Sequence, residues 1–460
     1  MRVPRVPPAR VAIALAVALL AAGLAVVGVR AVGGGHRVAA RAPASTSTLA
    51  PSSTVTSAAG SSTTSAPPGP PPTQPVPPAL AAAFSQIQAE VSQIRGLPWL
   101  APLDISVAND ADFVRQLNFV NQRDLHPARM QGDGVTLQLL QLFPQNVDYV
   151  KSYMSLLSGA VLGFYDAKTK KLLVRDNGTT LTPEKRITVA HEMLHALTDQ
   201  HFQFGPATYA LDAADKEEQG TAYSGLLEGD AKLMEALFAG KYLSPSERQQ
   251  AAAESNAAAG SVPQVPQYLL DSLYWPYTTG KDFVVSRYRT GGYAAVNAAY
   301  QRPPDSTLVV QQPQLYDAGT TWTPPALPDV AGATGCTPVR TNTLGTFTMT
   351  EMLEQHLDPT MSQAVADGWS GDSFATVRCG SARGFADRWT APDTTAAGKL
   401  VSALSSWAGD WSGGHTAPAA DGRFSGPTGA GRIVAAGTRI DLILADDAPT
   451  ADKVNAALGD

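Results

Sequence analysis

The stretch VAHEMLHALTD, residues Val189–Asp199, carries the strongest structural signal in this chain. It contains the pattern His-Glu-x-x-His, with His191 and His195 four residues apart. Because residues four apart lie on one face of an α-helix, the two imidazoles can be directed at one metal ion. Glu192 would then lie beside that ion, within reach of a water molecule. Chance produces this pattern in roughly a few of every thousand chains of this composition.

The residues around this stretch predict a helix that begins at residue 183. Thr182 is suited to cap it, Pro183 to occupy its first position, and Glu184 to face the positive end of the helix dipole. Apolar residues then recur at helical spacing, so we expect the helix to be buried on most sides. Buried histidines need polar partners, and a metal ion is one such partner. The alternative is that His191 and His195 are core residues that bond to backbone carbonyls.

The N-terminal region predicts an exported protein. Residues 11–29 form an uninterrupted apolar run of 19, preceded by three arginines. This length suits a membrane span better than the core of a cleaved signal peptide. We therefore expect residues 1–40 to be a single-pass membrane anchor with everything after it extracytoplasmic, and a cleaved signal peptide with secretion is the alternative. Residues 41–79 are almost wholly Ser, Thr, Pro, Ala and Gly, which predicts a disordered stalk.

The rest of the chain predicts two folded units of α+β class. Residues 80–328 are expected to form a mainly helical domain, with helices at 81–94, 110–117 and 147–157 before the motif. Residues 329–460 are expected to form a small α+β module with a terminal hairpin. The hydrophobic content of 44% allows substantial cores. The net charge of −6 and the lack of a basic run argue against a nucleic-acid partner.

A β-hairpin is predicted just before the motif. Residues 161–166 and 171–175 flank a short polar turn. A hairpin at this place can offer an edge strand to an extended peptide. The chain has only two cysteines, Cys336 and Cys379, both in the C-terminal module. An even number of cysteines in an exported protein predicts a disulfide between them.

The third metal ligand is sought on a second long helix, predicted at residues 212–237. A stripe of small residues there, Ala222, Gly225 and Gly229, predicts close contact with another helix. If that neighbour is the motif helix, Glu228 can reach the ion. The alternative is that Glu228 is a surface carboxylate.

His201 competes with Glu228 for the place of third ligand. It lies ten residues after His191, the spacing of the pattern H-E-x-x-H-x-x-G-x-x-H. In that pattern the helix breaks at a glycine, whose position Thr198 occupies here. A β-branched residue is poorly suited to a tight turn with positive φ. We therefore favour Glu228 over His201.

The segment His191–Asp199 resembles the active helix of the thermolysin-like gluzincin metallopeptidases. That resemblance implies a zincin-type catalytic domain, a Zn²⁺ cofactor, and Glu228 as the third ligand. This chain departs from the family in two ways. The interval between the second histidine and Glu228 is longer, and Lys232 stands where the family places an aspartate. Asp199 or Asp230 is therefore expected to orient a ligand imidazole instead.

A wider match is to a group of uncharacterised bacterial predicted zinc proteases. The shared motifs are HExxHAL-x-DQHF, which starts at His191, and EGDA, which starts at Glu228. Further matching segments are residues 163–166, 181–183, 276–280 and 291–293. The resemblance covers about residues 80–316.

These observations predict a zinc-dependent peptidase that acts on a peptide or protein. In this hypothesis Glu192 is the general base that assists attack by a zinc-bound water on the peptide carbonyl. Tyr277, in an aromatic cluster, is a candidate donor to the developing oxyanion, although core packing explains that cluster equally well. The alternative function is a catalytically silent, zinc-stabilised binding or cell-envelope module. The intact Glu192 argues against it, because a structural metal site needs no base.

Overall fold

The computed structural model describes residues 73–160, 162–176, 178, 180–259 and 263–459. The predicted membrane anchor and residues 41–72 of the predicted stalk lie outside the described residues. The folded region begins slightly before the predicted boundary at residue 80, because residues 74–75 pair in a sheet and a helix starts at Pro78. None of the helices in these ranges is both long enough and apolar enough to cross a membrane.

The described residues form helices and strands in both halves of the chain, and the predicted α+β class is confirmed. The helices are α1 (Pro78–Arg95), α2 (Asp110–Asp124), α3 (Pro127–Leu139), α4 (Tyr149–Ala160), α5 (Pro183–Phe202), α6 (Phe204–Ala213), α7 (Glu217–Tyr242), α8 (Pro245–Ala259), α9 (Gln267–Gln301), α10 (Thr307–Gln311), α11 (Pro313–Asp317), α12 (Val330–Thr334), α13 (Gly345–Glu354), α14 (Pro359–Ala366), α15 (Thr394–Trp411) and α16 (Ala448–Ala457). The strands are β1 (Gln74–Pro75), β2 (Asp104–Ala108), β3 (Gly163–Asp166), β4 (Lys171–Arg175), β5 (Thr337–Asn342), β6 (Gly371–Cys379), β7 (Ala382–Thr390), β8 (Arg423–Gly426), β9 (Gly429–Ala436) and β10 (Arg439–Ala445).

The strands form two sheets. The first has the order β1-β2-β4-β3, in which β2 and β4 are parallel and the other pairs antiparallel. The predicted hairpin is therefore confirmed as β3 and β4, and β3 lies at the edge of the sheet. The second sheet is antiparallel, with the order β5-β6-β7-β10-β9-β8.

The motif helix α5 forms as its sequence predicts. The Thr182 side chain accepts a hydrogen bond from the backbone of Lys185, and Pro183 takes the first helical position. Gln203 ends the helix in a left-handed conformation. The apolar side of α5 lies in one core cluster with side chains of α1, β4 and α7. The two histidines are thus held on a helix that is fixed on several sides.

Helix α7 begins at Glu217 rather than at the predicted residue 212. Residues 204–213 form the separate helix α6, and Asp215, with φ of 55°, separates the two helices. The small-residue stripe does make a close contact, but with α9 instead of α5. A Cβ added at Gly229 would lie 2.3 Å from the carbonyl oxygen of Gly280. The opposite, apolar side of α7 packs on α5, which is why Glu228 still faces the motif helix.

The C-terminal half shares its main core with the N-terminal half. One cluster of buried residues joins Leu137, Phe143 and Leu156 to the second sheet and its helices. The packing therefore does not divide at the predicted boundary of residue 328. Cys336 and Cys379 are bonded, with their Cα atoms 4.7 Å apart, which confirms the predicted disulfide. It links the residue before β5 to the last residue of β6.

Candidate metal centre

Three side chains from α5 and α7 converge on one point. The Nε2 atoms of His191 and His195 lie 3.1 Å apart. Oε2 of Glu228 lies 3.1 Å from Nε2 of His191 and 3.4 Å from Nε2 of His195. His191 and His195 are buried, and the Glu228 side chain is 22% exposed. These three residues form a group that can hold a metal ion.

The spacing of the three donor atoms matches a tetrahedral site. Ligands about 2.1 Å from a tetrahedral ion lie about 3.4 Å from one another. The three observed separations, 3.1, 3.1 and 3.4 Å, are close to that value. Two imidazole nitrogens and one carboxylate oxygen leave a fourth position for a small ligand. The residues present therefore fit an ion with an open coordination position.

His201 lies apart from this group. Its Nε2 atom lies 2.7 Å from the backbone oxygen of Pro98, at the end of the motif helix. The ligand-like group among the described residues contains Glu228 in its place. The geometry therefore favours Glu228 as the third ligand.

Glu235 orients the first histidine. Its Oε1 atom lies 2.8 Å from Nδ1 of His191, and both side chains are buried. A histidine that donates its Nδ1 hydrogen to a carboxylate keeps the Nε2 lone pair for a metal ion. Glu235 in turn forms an ion pair with Lys232, one helical turn earlier. Lys232 thus lies behind the carboxylate that holds His191.

The sequence predicts that Asp199 or Asp230 orients a ligand imidazole, but in the structure both aspartates have other partners. Asp230 pairs with the buried Arg95 and accepts a hydrogen bond from the hydroxyl of Tyr300. It points away from the site because two residues along a helix turn through about 200°. Asp199 accepts a hydrogen bond from the hydroxyl of Tyr165 at 2.9 Å. Both aspartates thus connect helices and the hairpin, while the imidazole of His191 is held by Glu235.

Glu192 is held by the edge strand. Its Oε2 atom accepts a hydrogen bond of 2.8 Å from the backbone N–H of Tyr165 in β3. Burial raises the pKa of Glu192, and the charges of His191 and His195 only partly oppose this. A carboxylate with a raised pKa is a stronger base than an ordinary one. The strand therefore fixes one oxygen of Glu192 beside the three possible ligands.

The histidines and carboxylates of the group shift one another's pKa values. Burial lowers the pKa of His191, but hydrogen bonds to Glu228 and Glu235 outweigh it and raise the pKa to about 10. Burial likewise raises the pKa of Glu228, but His195 and His191 outweigh it and hold this pKa well below its usual range. The carboxylates thus favour positive charge at the two histidines, which either protons or a bound metal ion can supply.

Tyr277 lies beside the group, as the sequence hypothesis requires. Its ring is stacked on His191, with centroids 6.1 Å apart and planes inclined by 24°. Burial raises the pKa of Tyr277 well above its usual value, and the carboxylates of Glu228 and Glu192 raise it further. The hydroxyl therefore keeps its proton and donates a hydrogen bond to the carboxylate of Glu228.

Glu235 is the residue that sequence reasoning does not find. It lies seven residues after Glu228, so both carboxylates occur on one face of α7. That spacing is visible in the sequence, but several other acids of this segment compete for the same role.

No protein-family model, curated protein or solved structure matches this chain.

Proposed function

We propose that this protein is an extracytoplasmic zinc-dependent peptidase. The single observation that carries the proposal is the convergence of His191, His195 and Glu228 beside Glu192. A structural zinc site has four protein ligands, whereas a catalytic site has three and keeps one position open. Three donors, a neighbouring base and a neighbouring hydroxyl together support the catalytic interpretation. The resemblance of the motif helix to gluzincins points the same way.

Zinc is the ion that these donors suit best. Imidazole nitrogen and carboxylate oxygen at tetrahedral spacing are typical zinc ligands. A zinc ion in this place would polarise a peptide carbonyl and acidify the attacking water. The hydrogen bond from His191 to Glu235 supports the same assignment, because such partners raise the basicity of a ligand histidine.

Glu192 and Tyr277 supply the proton chemistry. Oε2 of Glu192 is held by the N–H of Tyr165, which leaves Oε1 to take a proton from the attacking water. Glu192 then returns this proton to the nitrogen of the leaving amine as the peptide bond breaks. The hydroxyl of Tyr277, which contacts Glu228 in the free protein, would turn to donate a hydrogen bond to the oxygen on which negative charge develops.

The edge strand β3 supports binding of an extended peptide. The N–H of Tyr165 points away from β4, toward the open edge, because it reaches Glu192. A peptide added along this edge would form backbone hydrogen bonds with β3 and cross the metal centre in a fixed direction. A binding mode of this kind suits many sequences, since it uses the backbone of the substrate.

The disulfide supports location of the folded part in an oxidising compartment, because disulfides persist in extracellular and secreted proteins. We propose that the apolar run at residues 11–29, which lies outside the described residues, anchors the chain in the cell membrane. Secretion after cleavage of this segment is the alternative.

The test of the function uses Glu192→Gln in the full-length chain. Zinc content should stay near one ion per chain, because Glu192 is not a ligand. Cleavage of a peptide library should fall about 10²–10⁴-fold, as expected for loss of a general base. Glu247→Gln, an acid on α8 outside the metal centre, is the matched control and should leave both values unchanged.

His195→Ala completes the test by removing a ligand. It should abolish both zinc binding and cleavage. Zinc retained in this variant would mean that the metal binds elsewhere. Cleavage that is unchanged in Glu192→Gln would contradict the proposed base and leave the silent, zinc-stabilised module as the better explanation.

A further inference from the structure

A cavity of about 460 Å³ lies between the N-terminal and C-terminal halves of the chain. One wall belongs to α7 and contains Glu217, Thr221 and Ser224. These residues precede Glu228 at helical spacing, so they lie on the face of α7 that carries the metal ligand. A second wall belongs to α9 and includes Pro276, the neighbour of Tyr277. The cavity and the metal centre therefore share two helices and adjoin each other.

The sides of the cavity are largely aromatic. They include Tyr149 and Tyr153 of α4, Tyr268 of α9, Phe347 of α13 and Phe374 of β6. Such rings can pack along the methylene groups of a long side chain. Both halves of the chain contribute rings, so this pocket exists only when the halves are packed together.

One end of the cavity is acidic. Asp133 and Glu217 lie there and share Arg340, which also pairs with Asp215. The Glu217 side chain is still 42% exposed, so a ligand can reach it. Burial and the charge of Asp133 raise the pKa of Glu217 to about 7, although Arg340 opposes them. Two cations, Arg129 and Lys216, also line the cavity, but the acids Asp133, Asp212, Glu217 and Glu218 outnumber them.

We infer that this cavity is a subsite for a lysine or arginine side chain of the peptide substrate. The inference rests on the proposed peptidase function. The aliphatic stem would lie between Tyr149 and Tyr268, and the cationic head would form a charge-assisted hydrogen bond with Glu217. Asp133 supplies further negative charge.

The position of the basic residue follows from the length of α7. Glu217 lies eleven residues before Glu228, or about 16 Å along the helix axis. A lysine side chain covers about 6 Å of this distance, and an extended peptide covers about 3.4 Å per residue. The basic residue therefore lies about three residues from the scissile bond.

The experiment compares matched peptides with the zinc-loaded, full-length protein. Lysine is placed two, three or four residues from the scissile bond and is replaced in a second set by the neutral isostere norleucine. We expect kcat/KM to favour lysine about tenfold at one of these positions, as one charge-assisted hydrogen bond allows. Glu217→Gln should remove most of this preference, because it should lower kcat/KM for the lysine peptide far more than for the norleucine peptide.

Controls keep the outcomes separate. Asp282→Asn, which changes an acid with a side chain 80% exposed on α9, should keep the lysine preference. If Glu217→Gln fails to fold, as judged by zinc content and circular dichroism, Asp133→Asn takes its place with the same expectation. Cleavage without lysine preference, or a preference that survives both substitutions, would overturn the subsite alone. Absence of any cleavage would overturn the peptidase function, and the subsite with it.

Discussion

The contact between α7 and α9 at Gly229 offers a direct test of how the metal centre is supported. A Cβ at Gly229 would lie 2.3 Å from the oxygen and 2.5 Å from the carbon of the Gly280 carbonyl. Both atoms belong to the backbone, so no side-chain rotation can relieve the contact. Gly229→Ala should therefore force the two helices apart by about 1 Å, since carbon atoms pack about 3.5–4.0 Å from their neighbours.

The size of the effect follows from two opposing contributions. Replacing glycine with alanine inside a helix favours folding by about 0.8–1 kcal/mol. Overpacking a core costs about 1–3 kcal/mol, and a contact with backbone atoms belongs at the upper end of that range. We therefore expect Gly229→Ala to lower the free energy of unfolding by about 2 kcal/mol. Because Glu228 is the adjacent residue, zinc affinity should fall as well.

Denaturant unfolding of the metal-free, full-length chain measures this change. Gly240→Ala is the matched control, since it is the same substitution on the same helix and its Cβ would meet no atom within 4 Å. It should keep or raise stability, by up to about 1 kcal/mol. If Gly229→Ala were as stable as Gly240→Ala, the close packing of α7 on α9 would be disproved.

Three further predictions concern the ligands, the buried acids and the disulfide. Glu228→Ala should weaken zinc binding sharply in a titration at fixed pH, whereas His201→Ala should leave it unchanged, and the opposite result would refute the ligand assignment. Burial raises the pKa of Glu218 from 4.5 to about 8, so the folded state holds this proton more tightly and loses stability as the pH rises through that window. Glu218→Gln should remove this loss, so the free energy of unfolding should exceed that of the unsubstituted protein by up to about 4 kcal/mol at pH 8 and by nothing near pH 4.5. A difference that does not depend on pH would contradict the assignment. Cys336 and Cys379 lie 43 residues apart, and replacing both with serine should lower the free energy of unfolding, measured in denaturant, by about 4 kcal/mol. An unchanged midpoint of the denaturant transition would count against the disulfide as a stabilising link.

The sequence predicts those parts of the fold that depend on neighbouring residues. The cap at Thr182, the proline after it and the apolar spacing are all local signals, and α5 starts where they indicate. The hairpin of β3 and β4 is likewise a local pattern of two strands and a polar turn. The pair of histidines at i and i+4 follows from the geometry of a single helix.

Features set by tertiary contacts are harder to predict. The break before α7 occurs at Asp215, in the left-handed region, without a glycine or proline to mark it. The spacing of Gly225 and Gly229 indicates a close helix contact, but the partner is α9, more than fifty residues further along the chain. Glu235 can be identified only once α5 and α7 are seen together. The two-residue strand β1 leaves no pattern in the sequence at all.

The core shared by the two halves has a consequence for the order in which the molecule folds. Leu137 and Leu142 belong to the same buried cluster as Leu442 and Leu444, which are synthesised about 300 residues later. Contacts over such a sequence distance form slowly, because a long loop must close first. Apolar surface of α3 and α4 therefore remains uncovered until nearly the whole chain has emerged. Assembly of the aromatic cavity beside the metal centre must wait for the same late step.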